Sequence, residues 1–277
     1  MSGPSIESVR LTDGYEAAVR WWRPHAARGA VLYFHGIQSH GGWYEGSGEA
    51  LGAAGYHVLM PDRRGSGLNG RNRGHVDSVE RAIDDAKDLL RELLKATKRE
   101  SAHVIGVSWG GKLAVCLAAA EPRAVASLTL VAPGLFPVVD LTAPEKFRVA
   151  VSLINDRTKL FDIPLNDPAY FTDNPARIAF VERDGLMLRK VSAPFLLATR
   201  RMDRIVSRFD RSGYRGRIHL MLAGAERIID NERTRNWLSR LKGCATRLTE
   251  YPPAHHTLEF ERDPSGFFAD LVSGIEG

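Results

Sequence analysis

One serine lies in the stretch whose residue types could do chemistry, HVIGVSWGGKLA over residues 103–114. Ser108 follows an apolar run, is flanked by Gly106 and Gly110, and precedes a helical pattern. Because glycine carries no side chain, the backbone can double back sharply at this point and push the hydroxyl outward. The free N–H groups at the start of the following helix favour negative charge. This Gly-x-Ser-x-Gly pattern predicts a nucleophilic serine that attacks a carbonyl.

A nucleophilic serine needs hydrogen-bond donors for the oxyanion that forms on the attacked carbonyl. We expect one donor to be the backbone N–H of Trp109, the residue after the serine. The second should come from the HGIQSHGGWY loop after the VLYF strand, where the N–H of Ile37 is the best candidate. We expect His35 to brace that loop rather than to take part in the reaction.

The serine hydroxyl also needs a base, because it is a weak nucleophile at neutral pH. The YPPAHHTLEF segment near the end of the chain offers two histidines, His255 and His256. An acid should orient the histidine, and two segments offer one in a similar context. These are FLLATRRMDRIVS with Asp203 and HLMLAGAERIID with Glu226.

The elements around these residues predict an α/β fold. Strand patterns alternate with helical patterns from residue 30 to 133, which is typical of a mostly parallel sheet with helices on both faces. Residues 134–212 carry short helical pieces and several turn signals, at Pro137, Pro144, Pro164, Pro168 and Pro175. We predict an inserted helical cap over 134–212, after the sixth strand, and a core formed by 1–133 and 213–277.

Composition limits the class of protein. The 277 residues are 44% hydrophobic and include two cysteines, which fits a reducing compartment. We see neither a signal peptide nor a transmembrane segment, and we expect a cytoplasmic protein. A net charge of +5 is too small to indicate nucleic-acid binding. Residues 189–217 hold nine Lys or Arg against two Asp, which indicates either a solvated helix face or peripheral contact with anionic lipid or acidic substrates.

The segments FHGIQSHGGWY, MPDRRGSGLNGRNRG, GVSWGGKLA, LMLAGAERIIDN and YPPAHHTLEF together resemble the α/β-hydrolase superfamily. The closer similarity is to its monoacylglycerol lipase and lysophospholipase-like branch. The resemblance implies a serine, an acid and a histidine in that chain order, and hydrolysis of acyl esters without a cofactor. It selects His256 as the base, with His255 as a neighbour that packs or binds substrate. It also implies that the cap shapes an acyl pocket, for which we name Leu135, Phe136, Phe161 and Phe171.

The chain order favours Glu226 over Asp203 as the acid. One helix and one strand should separate the acid from the histidine loop, and the chain after Glu226 has room for that unit. An extra strand intervenes after Asp203. Apolar residues around Asp203 recur at helical spacing, which predicts an exposed ion-pair partner on a polar helix face, beside Arg200. Asp230 and Asp140 remain alternatives.

Other classes have weaker support. Gly65, Gly67 and Gly70 match a dinucleotide fingerprint, but no helix starts at the third glycine, so we expect a loop that borders the site. No histidines have the spacing of a zinc site, and we expect neither metal nor cofactor. The remaining alternatives are a proline iminopeptidase-like peptidase and a catalytically silent binding protein of the same fold. The sequence does not indicate an oligomeric state.

Overall fold

An eight-stranded sheet forms the centre of the molecule. The computed structural model describes residues 3–276, apart from the side chain of Arg211, so residues 1, 2 and 277 of the predicted core lie outside it. The ten strands in chain order are β1 (Ser5–Arg10), β2 (Glu16–Trp22), β3 (Gly29–Phe34), β4 (Tyr56–Pro61), β5 (Ala102–Val107), β6 (Val125–Val131), β7 (Leu160–Asp162), β8 (Lys190–Ser192), β9 (Arg217–Ala223) and β10 (Thr246–Tyr251).

The strand order of the sheet is β1-β2-β4-β3-β5-β6-β9-β10. β1 and β2, and likewise β2 and β4, pair antiparallel, whereas all the other neighbours pair parallel. Every residue of β3 is buried, while the edge strands β1 and β10 are mostly exposed. Fully buried strands such as β3 are expected in the middle of a parallel sheet whose two faces are covered by helices. The predicted fold class is confirmed.

Eight α-helices and four short 3₁₀ helices complete the described fold. The α-helices are α1 (Glu45–Ala53), α2 (Val79–Thr97), α3 (Trp109–Ala120), α4 (Ala143–Asn155), α5 (Pro175–Arg183), α6 (Ala193–Val206), α7 (Asn231–Ser239) and α8 (Ser265–Glu276). The caps of α2 show how the sequence sets their limits. The Ser78 hydroxyl accepts from the N–H of Arg81 at the start of α2, and Lys98 adopts the left-handed conformation at its end.

The chain leaves the sheet after β6 and returns at β9. Between them lie α4, α5 and α6 and the antiparallel pair β7–β8, which the sequence pattern did not predict because each strand has only three residues. The limits of a separate cap at 134–212 stay a prediction. α6 packs against α3, the helix that follows Ser108, so the two regions meet next to the predicted site.

Candidate active site

Ser108 occupies a strained corner between β5 and α3. Its φ is +52° and its ψ −121°, a conformation that costs a non-glycine residue on the order of 1–3 kcal/mol. A Cβ on Gly106 would lie 2.4 Å from the carbonyl oxygen of Gly110, and a Cβ on Gly110 would lie 2.4 Å from that of Phe34. Only glycine fits these two positions without a backbone shift, so the predicted tight turn is present.

The loop after β3 passes directly beside Ser108. A Cβ on Gly36 would lie 3.3 Å from the Cβ of Ser108. Within residues 3–276, the backbone N–H groups of Ile37 and Trp109 donate no hydrogen bond to the protein, and both residues line the same cavity as Ser108. Two free donors beside the serine are what an oxyanion hole requires.

His35 braces this loop, as predicted. Its Nε2 accepts a hydrogen bond from the N–H of Arg63 at 2.9 Å, so Nδ1 carries the proton and donates to the carbonyl of Gly36 at 2.8 Å. Burial, with the positive charge of Arg63, lowers the pKa of His35 to about 3. The imidazole is therefore neutral at neutral pH, and its two nitrogens tie the loop to the start of the β4–α2 connection.

Arg63 is a residue of the site that the sequence analysis missed. Its guanidinium donates to the carbonyl of Ile37 at 2.6 Å and to that of Gly36 at 3.3 Å, and lies 4.8 Å from the ring centre of Trp109. It thus holds both segments that supply the predicted oxyanion donors. The signal was the second charged residue of the DRRG segment, which we had interpreted only as part of a bordering loop.

His256 and Glu226 form a buried pair. The Nδ1 of His256 lies 2.7 Å from Oε2 of Glu226, and the two side chains are 3% and 2% exposed. The second oxygen of Glu226 accepts the N–H groups of Arg227 and Ile228 at 2.9 and 2.7 Å. The Nε2 of His256 is buried without a hydrogen-bond partner among the described residues.

The environment keeps Glu226 ionised. Burial alone would raise its pKa, but electrostatic attraction to the His256 ring and the hydrogen bonds from His256 and from the backbone of Ile228 outweigh burial and lower it. An ionised carboxylate on Nδ1 fixes the tautomer in which Nε2 is free to accept a proton.

The other acids are engaged elsewhere. Asp230 caps α7 by accepting the N–H of Arg233 at 2.9 Å. Asp203 lies on α6, as the helical spacing predicted, and Arg200 is 3.6 Å away. The expectation that Asp203 is merely an exposed surface partner is wrong, because α6 packs on α3 and brings it to the buried Lys112, with which it forms an ion pair.

His255 contacts two acids, Glu261 and Asp173. Its Nδ1 lies 3.2 Å from Glu261, which also accepts its backbone N–H at 2.7 Å, and 3.9 Å from Asp173. The donor atoms of these three residues lie within 4.8 Å of one another, a cluster that sequence spacing did not indicate. The contacts of the His255 ring and backbone N–H with Glu261 fix the chain just before His256.

A cavity of about 450 Å³ opens beside Ser108. Apolar side chains from α4, α6 and the loops after β7 and β9 form most of its wall, among them Val149, Leu153, Leu165, Leu196 and Ile229.

The four aromatic and aliphatic residues that we named for the pocket, Leu135, Phe136, Phe161 and Phe171, are absent from the cavity wall. That expectation is wrong because these side chains pack elsewhere. Phe161 joins Val149 and Ala193 in a small cluster, and the ring of Phe171 packs edge-on against Trp43.

One part of the cavity wall is charged. Lys112 pairs with Asp203, which pairs with Arg200, whose guanidinium also reaches Asp140, and Asp140 contacts Lys146 at 2.7 Å. We call these five residues the ion-pair chain, and all of them line the cavity.

The sheet order, the strained serine corner and the buried His–Glu pair together define an α/β hydrolase. The family model described as "Serine aminopeptidase, S33" matches residues 25–263, so the chain belongs to that family of hydrolases.

Individual relatives are more distant. The chain is 36% identical over 119 residues to an "AB hydrolase superfamily protein" of Gibberella zeae, covering 40% of each chain. It is 29% identical over 115 residues to a monoacylglycerol lipase of Mycolicibacterium smegmatis, covering 41% of each. These matches span about two fifths of each relative's length. The crystal structure of Paleococcus ferrophilus monoacylglycerol lipase shares the fold, with a TM-score of 0.82 at 22% identity, over 94% of this chain and 100% of that one.

Proposed function

We propose that the protein is a serine carboxylic-ester hydrolase in which Ser108 is the nucleophile, His256 the general base and Glu226 the orienting acid. The observation that carries this proposal is the 2.7 Å contact between Glu226 and Nδ1 of His256. The Nε2 of His256 bonds to no described residue, Ser108 included, and is free to take a proton. The N–H groups of Ile37 and Trp109 are the proposed oxyanion donors.

The reaction takes two balanced half-steps. Nε2 of His256 takes the proton of Ser108 as Oγ bonds to the acyl carbonyl carbon. The tetrahedral intermediate collapses, the bond to the alcohol oxygen breaks, and His256 returns the proton to the leaving alcohol. Water then attacks the acyl-enzyme, again giving a proton to His256. Release of the carboxylic acid breaks the acyl bond and restores the proton to Ser108.

The apolar wall of the cavity supports an acyl ester as substrate, such as a monoacylglycerol or a lysophospholipid. The names of the relatives, with monoacylglycerol lipases among them, agree with this class. No cofactor enters the proposed reaction.

The description of the family model favours a second candidate, an aminopeptidase of the proline iminopeptidase type. An aminopeptidase must bind the free ammonium group of its substrate. The ion-pair chain has three cations against two carboxylates, a net charge of +1 that disfavours an ammonium. We therefore rank the esterase first.

Parallel assays test the proposal. We expect p-nitrophenyl acyl esters and monoacylglycerols to be hydrolysed and prolyl amides to be left intact, with a fluorophosphonate labelling Ser108. The Ser108→Ala variant should neither hydrolyse the esters nor be labelled by the fluorophosphonate. The control variant Ser101→Ala, on the loop before β5, should retain both properties. Turnover of prolyl amides alone would support the peptidase. Failure to react with fluorophosphonate would support a silent binding protein.

We also infer that the region around α4 contacts lipid surfaces. The basic stretch 189–217 gives limited support, because Lys190, Arg200 and Arg217 bond to groups of the protein itself. The stronger support is an apolar stripe on α4 in which Phe147 and Ile154 are 71% and 86% exposed. No helix in the described residues is long and apolar enough to cross a bilayer.

A further inference from the structure

A pocket that binds only an apolar acyl chain would not be expected to contain charged groups such as those of the ion-pair chain. Lys112 is the first member, and it lies on α3 four residues after Ser108, one helical turn from the predicted nucleophile and on the same helix face. Only 2% of its side chain is exposed. A buried ammonium is costly, and residues that only enclose an aliphatic chain would not require one.

The charges of the ion-pair chain do not cancel. Asp203 is shared between Lys112 and Arg200, and Asp140 between Arg200 and Lys146. Two carboxylates therefore serve three cations. An ammonium has three N–H donors and a guanidinium has five, so the contacts with the two carboxylates do not use all the N–H donors of the three cations. One further anionic group would balance the charge and occupy those donors.

The two ends of the ion-pair chain differ in access. Lys112 is enclosed, whereas the side chains of Arg200 and Lys146 are 52% and 51% exposed, so an incoming group can reach them without displacing the fold. The apolar wall and this charged part belong to one cavity that also contains Ser108. A single substrate can therefore contact the apolar wall, the ion-pair chain and Ser108 at the same time.

We propose that the cavity binds acyl esters that carry an anionic oxygen group, a carboxylate or a phosphate, remote from the scissile bond and held by Arg200 and Lys146. This inference rests on the proposed ester hydrolysis and specifies its substrate class. A neutral monoacylglycerol would then be a poorer substrate than its anionic counterpart. The competing explanation is that the ion-pair chain only fastens α4 and α6 to α3.

Matched substrates separate the two explanations. The p-nitrophenyl ester of octanoic acid is compared with the mono-p-nitrophenyl ester of octanedioic acid, which adds a carboxylate on the acyl side. A monoacylglycerol is compared with the lysophosphatidate of the same acyl chain, which adds a phosphate on the alcohol side. We expect kcat/KM to favour the anionic member of at least one pair by about 10-fold, the effect of one charge-assisted hydrogen bond. The pair that shows the preference identifies the source of the anion.

Two variants and a control locate the effect. Arg200→Gln and Lys146→Gln should each reduce the anionic preference several-fold, and high salt should reduce it in the native protein. Arg204→Gln, on the same helix but outside the cavity wall, should leave both members of each pair unchanged. Equal losses for neutral and anionic substrates would mean a fastening role only and would overturn the proposal.

A binding measurement keeps this inference separate from ester hydrolysis. Calorimetry with 8-hydroxyoctanoate and 1-octanol, neither of which can be hydrolysed, should show tighter binding of the carboxylate and loss of the difference in Arg200→Gln. Hydrolysis of neutral esters without any anionic preference would overturn the inference and leave the proposed function standing. Absence of all ester hydrolysis would refute the function, while the calorimetric difference would still report on the anion site.

Discussion

The carboxylate of Glu226 divides its two oxygens between two tasks. Oε1 accepts the backbone N–H groups of Arg227 and Ile228, and Oε2 contacts Nδ1 of His256. The backbone contacts hold the carboxylate in one orientation, so the additional methylene of glutamate does not make the pair loose. These backbone contacts allow a glutamate to hold the imidazole at a position where similar hydrolases more often have an aspartate.

The first prediction concerns this carboxylate. Glu226→Gln should lower kcat for ester hydrolysis by about 10²–10⁴-fold, because the amide neither selects the tautomer nor stabilises the imidazolium. Steady-state kinetics with a p-nitrophenyl ester measures it, and Glu232→Gln, exposed on α7, is the matched control. The Asp203→Asn variant should show a far smaller decrease in kcat. The reverse ranking would assign the orienting role to Asp203.

Glu259, three residues after His256, gives a second prediction at the same scale. Burial is the main cause that raises its pKa to about 7, although it accepts hydrogen bonds from Ser47. Because its pKa is higher in the folded than in the unfolded protein, the native state binds the proton more tightly. Its ionisation therefore costs stability as pH rises from 4.5 towards 7.

We expect the free energy of unfolding of the native protein to fall relative to that of Glu259→Gln over this pH range, by an amount on the order of 3 kcal/mol. Urea unfolding at several pH values measures the difference, which cancels other groups that titrate in the same range. Glu232→Gln, on the exposed face of α7, is the control. A difference that is constant with pH would show that Glu259 ionises normally.

At the scale of elements, the site depends on how three connections meet. The β3–α1 loop, the β4–α2 connection and the start of α3 converge around Arg63, which bonds to Gly36 and Ile37 and packs on Trp109. Burial lowers the pKa of Arg63 to about 9, which still leaves it charged at neutral pH. The donors of the proposed oxyanion hole are thus positioned by a cation that need not touch the substrate.

The third prediction tests this positioning role. Arg63→Met should lower kcat about 10-fold with little change in KM, because the loop that carries the Ile37 N–H loses its fixed orientation. Arg71→Met, an exposed arginine of the same connection, should leave kcat unchanged. Arg63→Lys, which keeps the charge and one donor, should recover part of the loss. A parallel fall in thermal stability without any selective effect on kcat would indicate a purely structural role.

At the scale of the whole molecule, the segment between β6 and β9 contacts the core in several places, and two of these contacts involve the loop that continues from Ile37 and the helix α3. Asp184 accepts from the indole of Trp43 at 2.6 Å and contacts His40 at 3.0 Å, both on the loop that continues from Ile37. The ion pair of Lys112 with Asp203 is the second contact. One face of α4 lines the cavity, whereas another face exposes Phe147 and Ile154.

The fourth prediction follows from the exposed face of α4. The double variant Phe147→Ser with Ile154→Ser should bind phosphatidylcholine vesicles more weakly in a sedimentation assay and hydrolyse vesicle-embedded monoacylglycerol more slowly, because apolar surface no longer enters the lipid. Hydrolysis of soluble p-nitrophenyl acetate should be unaffected. Ile6→Ser removes another exposed apolar side chain, from the edge strand β1, and should change neither vesicle binding nor hydrolysis. Unchanged vesicle binding of the double variant would refute the lipid contact.

Local patterns in the sequence determined much of this protein. The apolar periods indicated the parallel strands and α6, glycine spacing indicated the corner at Ser108, and the length of chain before His256 favoured Glu226 over Asp203. The apolar periods and the glycine spacing depend on residues that are close together in the sequence. The choice of Glu226 depends on how many helices and strands a chain segment of a given length can form. Only the tertiary structure decided which side chains line the cavity and that Lys112 meets Asp203, 91 residues away. Such contacts depend on how α6 packs against α3, because the apolar period of α6 shows which face is buried but not which element covers it.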